Sequence, residues 1–184
     1  AVVGGVGGFG GMYAFQGSGH SVLVASTDGV GSKVLLAATL ERHGSVGADL
    51  VNHCVNDILV QGATPLFFLD YVAFGQLVPA TLEEIVTGVT RGCIENGATL
   101  SGGETAELPG VYTPPDYDLA GFIVGYVEEP AVLGSHRVTA GDACVGSSSW
   151  RARIGKDMDD PSPGVTADPV ARRSATLHLG GQRV

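Results

Sequence analysis

The run Pro65 to Phe74, PLFFLDYVAF, is apolar on both faces that a strand can present, and no other stretch restricts the possible folds so much. Side chains alternate across a strand, so a run with no polar face predicts a sheet strand covered on both sides. Asp70 interrupts it. An unpaired buried charge is costly, so this carboxylate has to be paired, bound to a ligand or placed at an interface. Two helices are legible nearby. From Gly47 to Gly62, Leu50, Val51, Cys54, Val55, Ile58 and Leu59 follow the three-and-four spacing of an amphipathic helix, with Asn52, His53 and Asn56 on its exposed side. Thr81 with Glu84 three residues on reads as a capping box, opening a helix that runs through Ile85, Val89 and Cys93 to about Gly97. Further strands are predicted at Ser21–Thr27, Ala98–Ser101, Asp118–Glu128 and around Cys144.

Three glycine- and acid-rich junctions each follow an apolar segment. Asp28, Gly29, Gly31, Ser32 and Lys33 lead from a strand into a helix predicted to reach about Arg42, which suits Asp28 for metal and Lys33 for phosphate. The plainer reading is a strand-to-helix turn capped by Asp28 or Ser32. Asn56 and Asp57 stand side by side on the second helix, where they can aim at a cation or be solvated surface residues. His53 reads as a packed or hydrogen-bonded histidine. Gly102, Gly103, Glu104 and Thr105 follow a short strand. Paired glycines admit close backbone approach and the oxygens beside them suit a divalent cation, although a surface turn has the same composition. A fourth glycine-rich stretch, Val3 to Gly11, is expected to be a mobile loop, and Gly7, Gly8, Phe9 and Gly10 are its candidates for covering phosphates with amides. It lacks the lysine and hydroxyl of a P-loop.

Charge and cysteine placement exclude several classes. The net charge of −9 argues against nucleic acid, whose binding draws on clustered Lys and Arg. Only Lys33, Arg42, Arg91 and Arg137 precede Trp150, so an anionic ligand bound there needs Mg²⁺ and backbone amides for its neutralisation. No apolar run approaches the roughly 20 residues that span a bilayer, and the apolar start lacks a basic region, so a cytoplasmic protein is expected. Cys54, Cys93 and Cys144 lack paired spacing and read as buried thiols.

Four stretches together closely resemble the N-terminal domain of the phosphoribosylformylglycinamidine cyclo-ligase (aminoimidazole ribonucleotide synthetase) family: GGVGGFGG at Gly4 to Gly11, TDGVGSK at Thr27 to Lys33, CVNDILVQGATPLFFLDYVAFG at Cys54 to Gly75, and SGGETAELPGVY at Ser101 to Tyr112. The resemblance implies an α+β fold, a mixed sheet backed by helices that pairs with a second subunit through its sheet. It implies an ATP- and Mg²⁺-dependent closure of formylglycinamidine ribonucleotide to aminoimidazole ribonucleotide by a homodimer. Asp28, Asp57 and Glu104 are then the metal carboxylates, and Lys33 and Asp57 the catalytic pair, with Lys33 on phosphate. Gly7, Gly8, Phe9, Gly10, Gly29, Gly31, Asn56, Gly102, Gly103 and Thr105 complete the nucleotide contacts. The likeness covers residues 1–147. Residues 148–184 shift toward Arg, Pro and Asp where the family continues into a second domain, as a frameshifted or spliced coding sequence would produce, and an irregular, poorly ordered tail is expected there. The family's segment ahead of the glycine loop, with any catalytic lysine in it, is also absent from this sequence. The alternative reading is a non-catalytic Mg-ATP-binding or dimerisation fragment.

Overall fold

The computed structural model describes residues 2–3, 10–14 and 19–143. Its strands are β1 (Val2–Val3), β2 (Gly11–Ala14), β3 (Ser21–Gly29), β4 (Thr64–Phe74), β5 (Thr99–Glu107) and β6 (Tyr117–Glu128). Its helices are α1 (Lys33–Thr39), α2 (Gly44–Leu59) and α3 (Pro79–Asn96), with single 3₁₀ turns at Glu129–Ala131 and Ser135–Arg137. The strands form one mixed sheet in the order β1-β2-β3-β6-β4-β5. Only β4 and β5 are parallel, and α3 connects them, because parallel neighbours need a crossover. This is the expected α+β arrangement.

The helices cover one face of the sheet. Val24, Phe68, Val72, Leu119 and Ile123 point from the strands into a core completed by Leu50, Val51, Cys54, Val55 and Ile58 of α2 and Ile85, Val89 and Cys93 of α3. Covering of β4 on both faces is not what a single chain shows. Tyr71 of β4 is 37% exposed, and Phe122 and Tyr126 of β6, which alternate with buried Leu119, Ile123 and Val127, are open on the face away from the helices. Tyr13 of β2 joins them there.

Several local expectations change. Thr81 does not cap α3: the helix starts two residues earlier, with Pro79 in its first turn and Val78 as N-cap. Glu84 instead accepts from the backbone N–H of His43, the N-cap of α2, where a carboxylate meets the positive end of a helix. Gly97 closes α3 in the left-handed conformation, as expected of glycine there. Helix α1 ends at Thr39, short of Arg42, and Ser32 precedes it without a side-chain cap. Asn52 is buried against Asn96 of α3 rather than exposed, because α3 packs over that side of α2. The expected loop from Val3 to Gly11 is bracketed by paired strands at Val3 and Gly11, and residues 4–9 lie outside the described residues. Cys144 and residues 148–184 lie outside them too. Among the described residues no helix is long and apolar enough to cross a membrane.

Candidate functional site

The site is built where the end of β3 meets α2. Asp49, His53 and Asp57 recur every four residues, so they form one stripe along α2. Each meets a group from β3 or from the turn that follows it. Ser26 Oγ donates to Asp57 Oδ2 at 2.6 Å. His53 Nδ1 lies 3.4 Å from the Gly29 carbonyl oxygen and 3.8 Å from Asp28 Oδ2. Lys33 Nζ donates to Asp49 Oδ2 at 2.7 Å and stands 3.5 Å from His53 Nε2. Asp28 Oδ1 also accepts from the Gly29 amide, which fixes the carboxylate at the turn. Gly31 adopts φ 68° in this turn, a conformation that favours glycine, and its carbonyl accepts from Val34 as α1 begins.

Beneath the site lies Cys54. Burial, helped by the neighbouring charges of Asp28 and Asp57, pushes its thiol up to about 12. Ser26, which bonds Asp57, and Asp28 stand two residues apart on β3, so both carboxylates lie on the helix side of the sheet, and burial keeps the thiol neutral. A third acid occupies the same strand row. Across the sheet Asp28 pairs with Gly121, Gly121 with Asp70, and Asp70 with Gly103. Burial raises the Asp70 carboxyl, and burial together with that carboxylate's charge raises the Cys93 thiol on α3 to about 11.

Glu104 is the sequence-predicted ligand that the fold does not bring in. It sits on β5, three strands from β3 and so about 14 Å across the sheet at the usual strand spacing. It is also one residue out of phase with Gly103, whose missing Cβ would strike the Asp70 carboxylate on the helix side. Alternation puts Glu104 on the open face, where it shares a shallow hollow of about 340 Å³ with Thr27, Tyr71 and Phe122. Among the described residues no three His, Cys, Asp or Glu side chains are grouped to hold one metal ion. Among the described residues of one chain, Asp28, Asp57 and Glu104 do not form a three-ligand set.

The Gly-Gly-Glu-Thr stretch is strand, not a turn after a strand, since β5 continues to Glu107. Gly103 is glycine because a Cβ would come 2.3 Å from Asp70 Oδ1 and 2.4 Å from its carbonyl oxygen. Gly102 takes φ 143° beside a register shift between Phe68 and Leu69. Thr105 is exposed on the same edge strand. Asn56 is exposed on α2, and among the described residues no hydrogen bond joins it to the cluster. Gly7, Gly8 and Phe9 lie outside the described residues. Gly10 is buried, and a Cβ there would meet Val24 and Gln61. With its amide turned to satisfy both neighbours, Gln61 donates to the Asp57 carbonyl at 2.8 Å and accepts from the Gly10 N–H at 3.2 Å. The end of the glycine-rich stretch is thereby moored one turn from Asp57.

Sequence reasoning missed Ser26 and Asp49, and it gave His53 no part in the site. The signal for two of them was present, as a polar residue every fourth position from Asp49 to Asp57. Ser26 offered none, since a serine in a strand says nothing about which helix lies over it.

Residues 10–127 match the family model described as AIR synthase related protein, N-terminal domain. The phosphoribosylformylglycinamidine cyclo-ligase of Gloeobacter violaceus is 55% identical over 148 residues, which are 80% of this chain and 44% of that protein. The corresponding protein of Geobacillus kaustophilus is 53% identical over 150 residues, 80% of this chain and 43% of that one. The chain thus spans less than half the length of these curated relatives. Among solved structures, a protein from Thermus thermophilus superposes with a TM-score of 0.61 at 19% identity, over 95% of this chain and 54% of that one. That likeness is one of fold.

Proposed function

The chain belongs to the AIR synthase related protein family through that family's N-terminal domain, and from this membership we propose that it binds Mg-ATP as the nucleotide-binding part of a cyclo-ligase. The proposed reaction is the ATP-dependent ring closure of formylglycinamidine ribonucleotide to aminoimidazole ribonucleotide in purine biosynthesis. The observation that carries the reading is the stripe of Asp49, His53 and Asp57 on α2 set against β3 and its turn, where Ser26 holds Asp57 and His53 links Lys33 to Asp28.

Two carboxylates fit the chemistry of Mg²⁺ at a nucleotide. That ion keeps several waters and is usually held by one or two carboxylates plus the substrate's phosphates, not by an all-protein cage. Asp28 and Asp57 would hold it, and when bound it would neutralise phosphate charge that a chain of net charge −9 cannot. Ser26 keeps one oxygen of Asp57 occupied, which leaves the other for the cation. Lys33 contributes a fixed positive charge for phosphate, and the stretch ending at Gly10 supplies amides. In the ring closure ATP activates the formyl amide oxygen, an internal amine attacks the activated carbon, and ADP and phosphate leave.

The open sheet face suits a second copy of the chain. Tyr13, Tyr71, Phe122 and Tyr126 are half-exposed aromatics on one surface, and β5 is a strand edge without a neighbour among the described residues. Glu104 lies on that face, so a part for it at a metal depends on such pairing. Sedimentation velocity at micromolar concentration reports the dimer, and a monomer throughout would remove Glu104 from the proposal.

Calorimetric titration of ATP with and without Mg²⁺ tests the core reading. Binding that EDTA abolishes is expected, and no binding at millimolar Mg-ATP would overturn it. A coupled assay then decides the extent of the activity: ADP release that requires formylglycinamidine ribonucleotide assigns ring closure to this chain, and binding without release assigns nucleotide binding alone.

A further inference from the structure

We infer that Asp49 and His53 form a two-sided clamp that positions the Lys33 ammonium, leaves one of its N–H groups for an anionic oxygen, and ties the lysine to the Asp28–Gly29 turn. An ammonium carries three N–H donors and no acceptor. Asp49 Oδ2 takes one donor at 2.7 Å, and His53 Nε2 faces a second at 3.5 Å. Among the described residues Lys33 has no third partner. Its side chain is 37% exposed against 13% for Asp49, so solvent reaches the lysine more than the carboxylate that holds it.

The histidine fits only one arrangement of its proton. To accept from Lys33, Nε2 must carry a lone pair, which puts the proton on Nδ1. Nδ1 lies 3.4 Å from the Gly29 carbonyl oxygen and 3.8 Å from Asp28 Oδ2, both acceptors. The two sides of the ring therefore call for the same tautomer, and the ring becomes a strut between the lysine and the turn. Asp49 and His53 are one helical turn apart on α2, and Leu50, Val51 and Cys54 between and beside them are fully buried. A flexible four-carbon stem is thus held by a part of the molecule that cannot easily move.

Asp49 and His53 are positioning residues, and their use for nucleotide rests on the reading that Lys33 meets a phosphate. Two measurements separate the clamp from that reading. The first is the acylation rate of the Lys33 amine in nucleotide-free protein, followed by peptide mass spectrometry. Asp49→Asn and His53→Ala are expected to raise it about tenfold, the scale of losing one charge-assisted hydrogen bond. An unchanged rate in both folded variants overturns the clamp. The second is a cycle of Mg-ATP affinities for Lys33→Ala, His53→Ala and the double variant. If His53 acts through Lys33, His53→Ala alone weakens binding about tenfold and adds nothing once the lysine is gone. Additive losses would mark His53 as merely structural and overturn the inference. His53→Gln, which restores a polar atom near the position of Nε2, is expected to recover part of the affinity and stands in if the alanine variant does not fold. A chain whose Lys33 responds to both substitutions but which binds no Mg-ATP would sink the nucleotide reading and leave the clamp in place.

Discussion

Replacing Gly47 with alanine is expected to unseat the helix that carries the site. A methyl at this position would stand 2.1 Å from the Ile85 carbonyl oxygen and 2.7 Å from the Val89 nitrogen of α3. Both are backbone atoms, so no change of rotamer relieves the contact, and α2 and α3 must part by about 1 Å to restore normal separations. Overpacking of this kind costs about 3 kcal/mol, because Val51, Ile85 and Val89 lose contact as the helices separate. Alanine's better helix propensity offsets about 1 kcal/mol of that. The net loss is about 2 kcal/mol, or about 8 °C in Tm at roughly 4 °C per kcal/mol for a domain of this size. Gly44→Ala, in the same helix, is the control: its Cβ would meet nothing within 4 Å. That variant should melt at or slightly above the wild-type temperature, by up to about 1 kcal/mol of stability. Thermal unfolding by circular dichroism compares the two. A Gly47→Ala protein as stable as Gly44→Ala would refute the close helix crossing, and with it the seating of Asp49, His53 and Asp57 over β3.

Other substitutions probe the site directly. Ser26→Ala removes the donor to Asp57 and should lower stability by about 1 kcal/mol and Mg-ATP affinity by roughly three- to tenfold in calorimetry; unaltered affinity would remove Asp57 from the proposed metal site. Asp70 has a folded-state pKa raised above its ordinary value of 3.8 by burial, so the folded chain holds that proton more tightly than the unfolded chain. Its contribution to stability is therefore present at low pH and is lost as pH rises from about 3.8 through the folded value. Asp70→Asn, neutral throughout, should be more stable than wild type at pH 7 in denaturant titrations and lose that part of the pH slope; a less stable variant at pH 7 would mean the ionised carboxylate is wanted by a partner. Cys54 and Cys93, pushed up to about 12 and about 11, should resist iodoacetamide at pH 8 in the native protein and react on unfolding. Fast native alkylation of Cys54 would contradict the packing beneath Asp28 and Asp57.

Much of the framework was legible because it is written in local periods. The three-and-four spacing from Leu50 to Leu59 placed α2, the apolar run at Pro65 placed β4, and Gly97 marked the end of α3. The strand-turn-helix at Asp28 to Lys33 was also local, and its carboxylate and lysine do fall in the cluster. Capping was less legible: Thr81 and Glu84 had the right spacing for a box, yet Glu84 serves the start of another helix 41 residues away in sequence.

Local composition was enough to place the centres of β3, β4, β6, α2 and α3, though not β2 or the full length of β5, and it set Asp49, His53 and Asp57 in line, since a helix repeats every 3.6 residues whatever surrounds it. Which strand each segment lies beside came from long-range pairing alone. Pairing Asp28 with Gly121, and Asp70 with Gly103, joins residues far apart in the chain, and a register shift of one residue would turn every side chain to the opposite face. That is why Glu104, beside Gly103 in sequence, ends on the far side of the sheet from the carboxylates it was expected to join. The glycine before it answers to the Asp70 side chain on the neighbouring strand, a contact that no periodicity within the chain could announce.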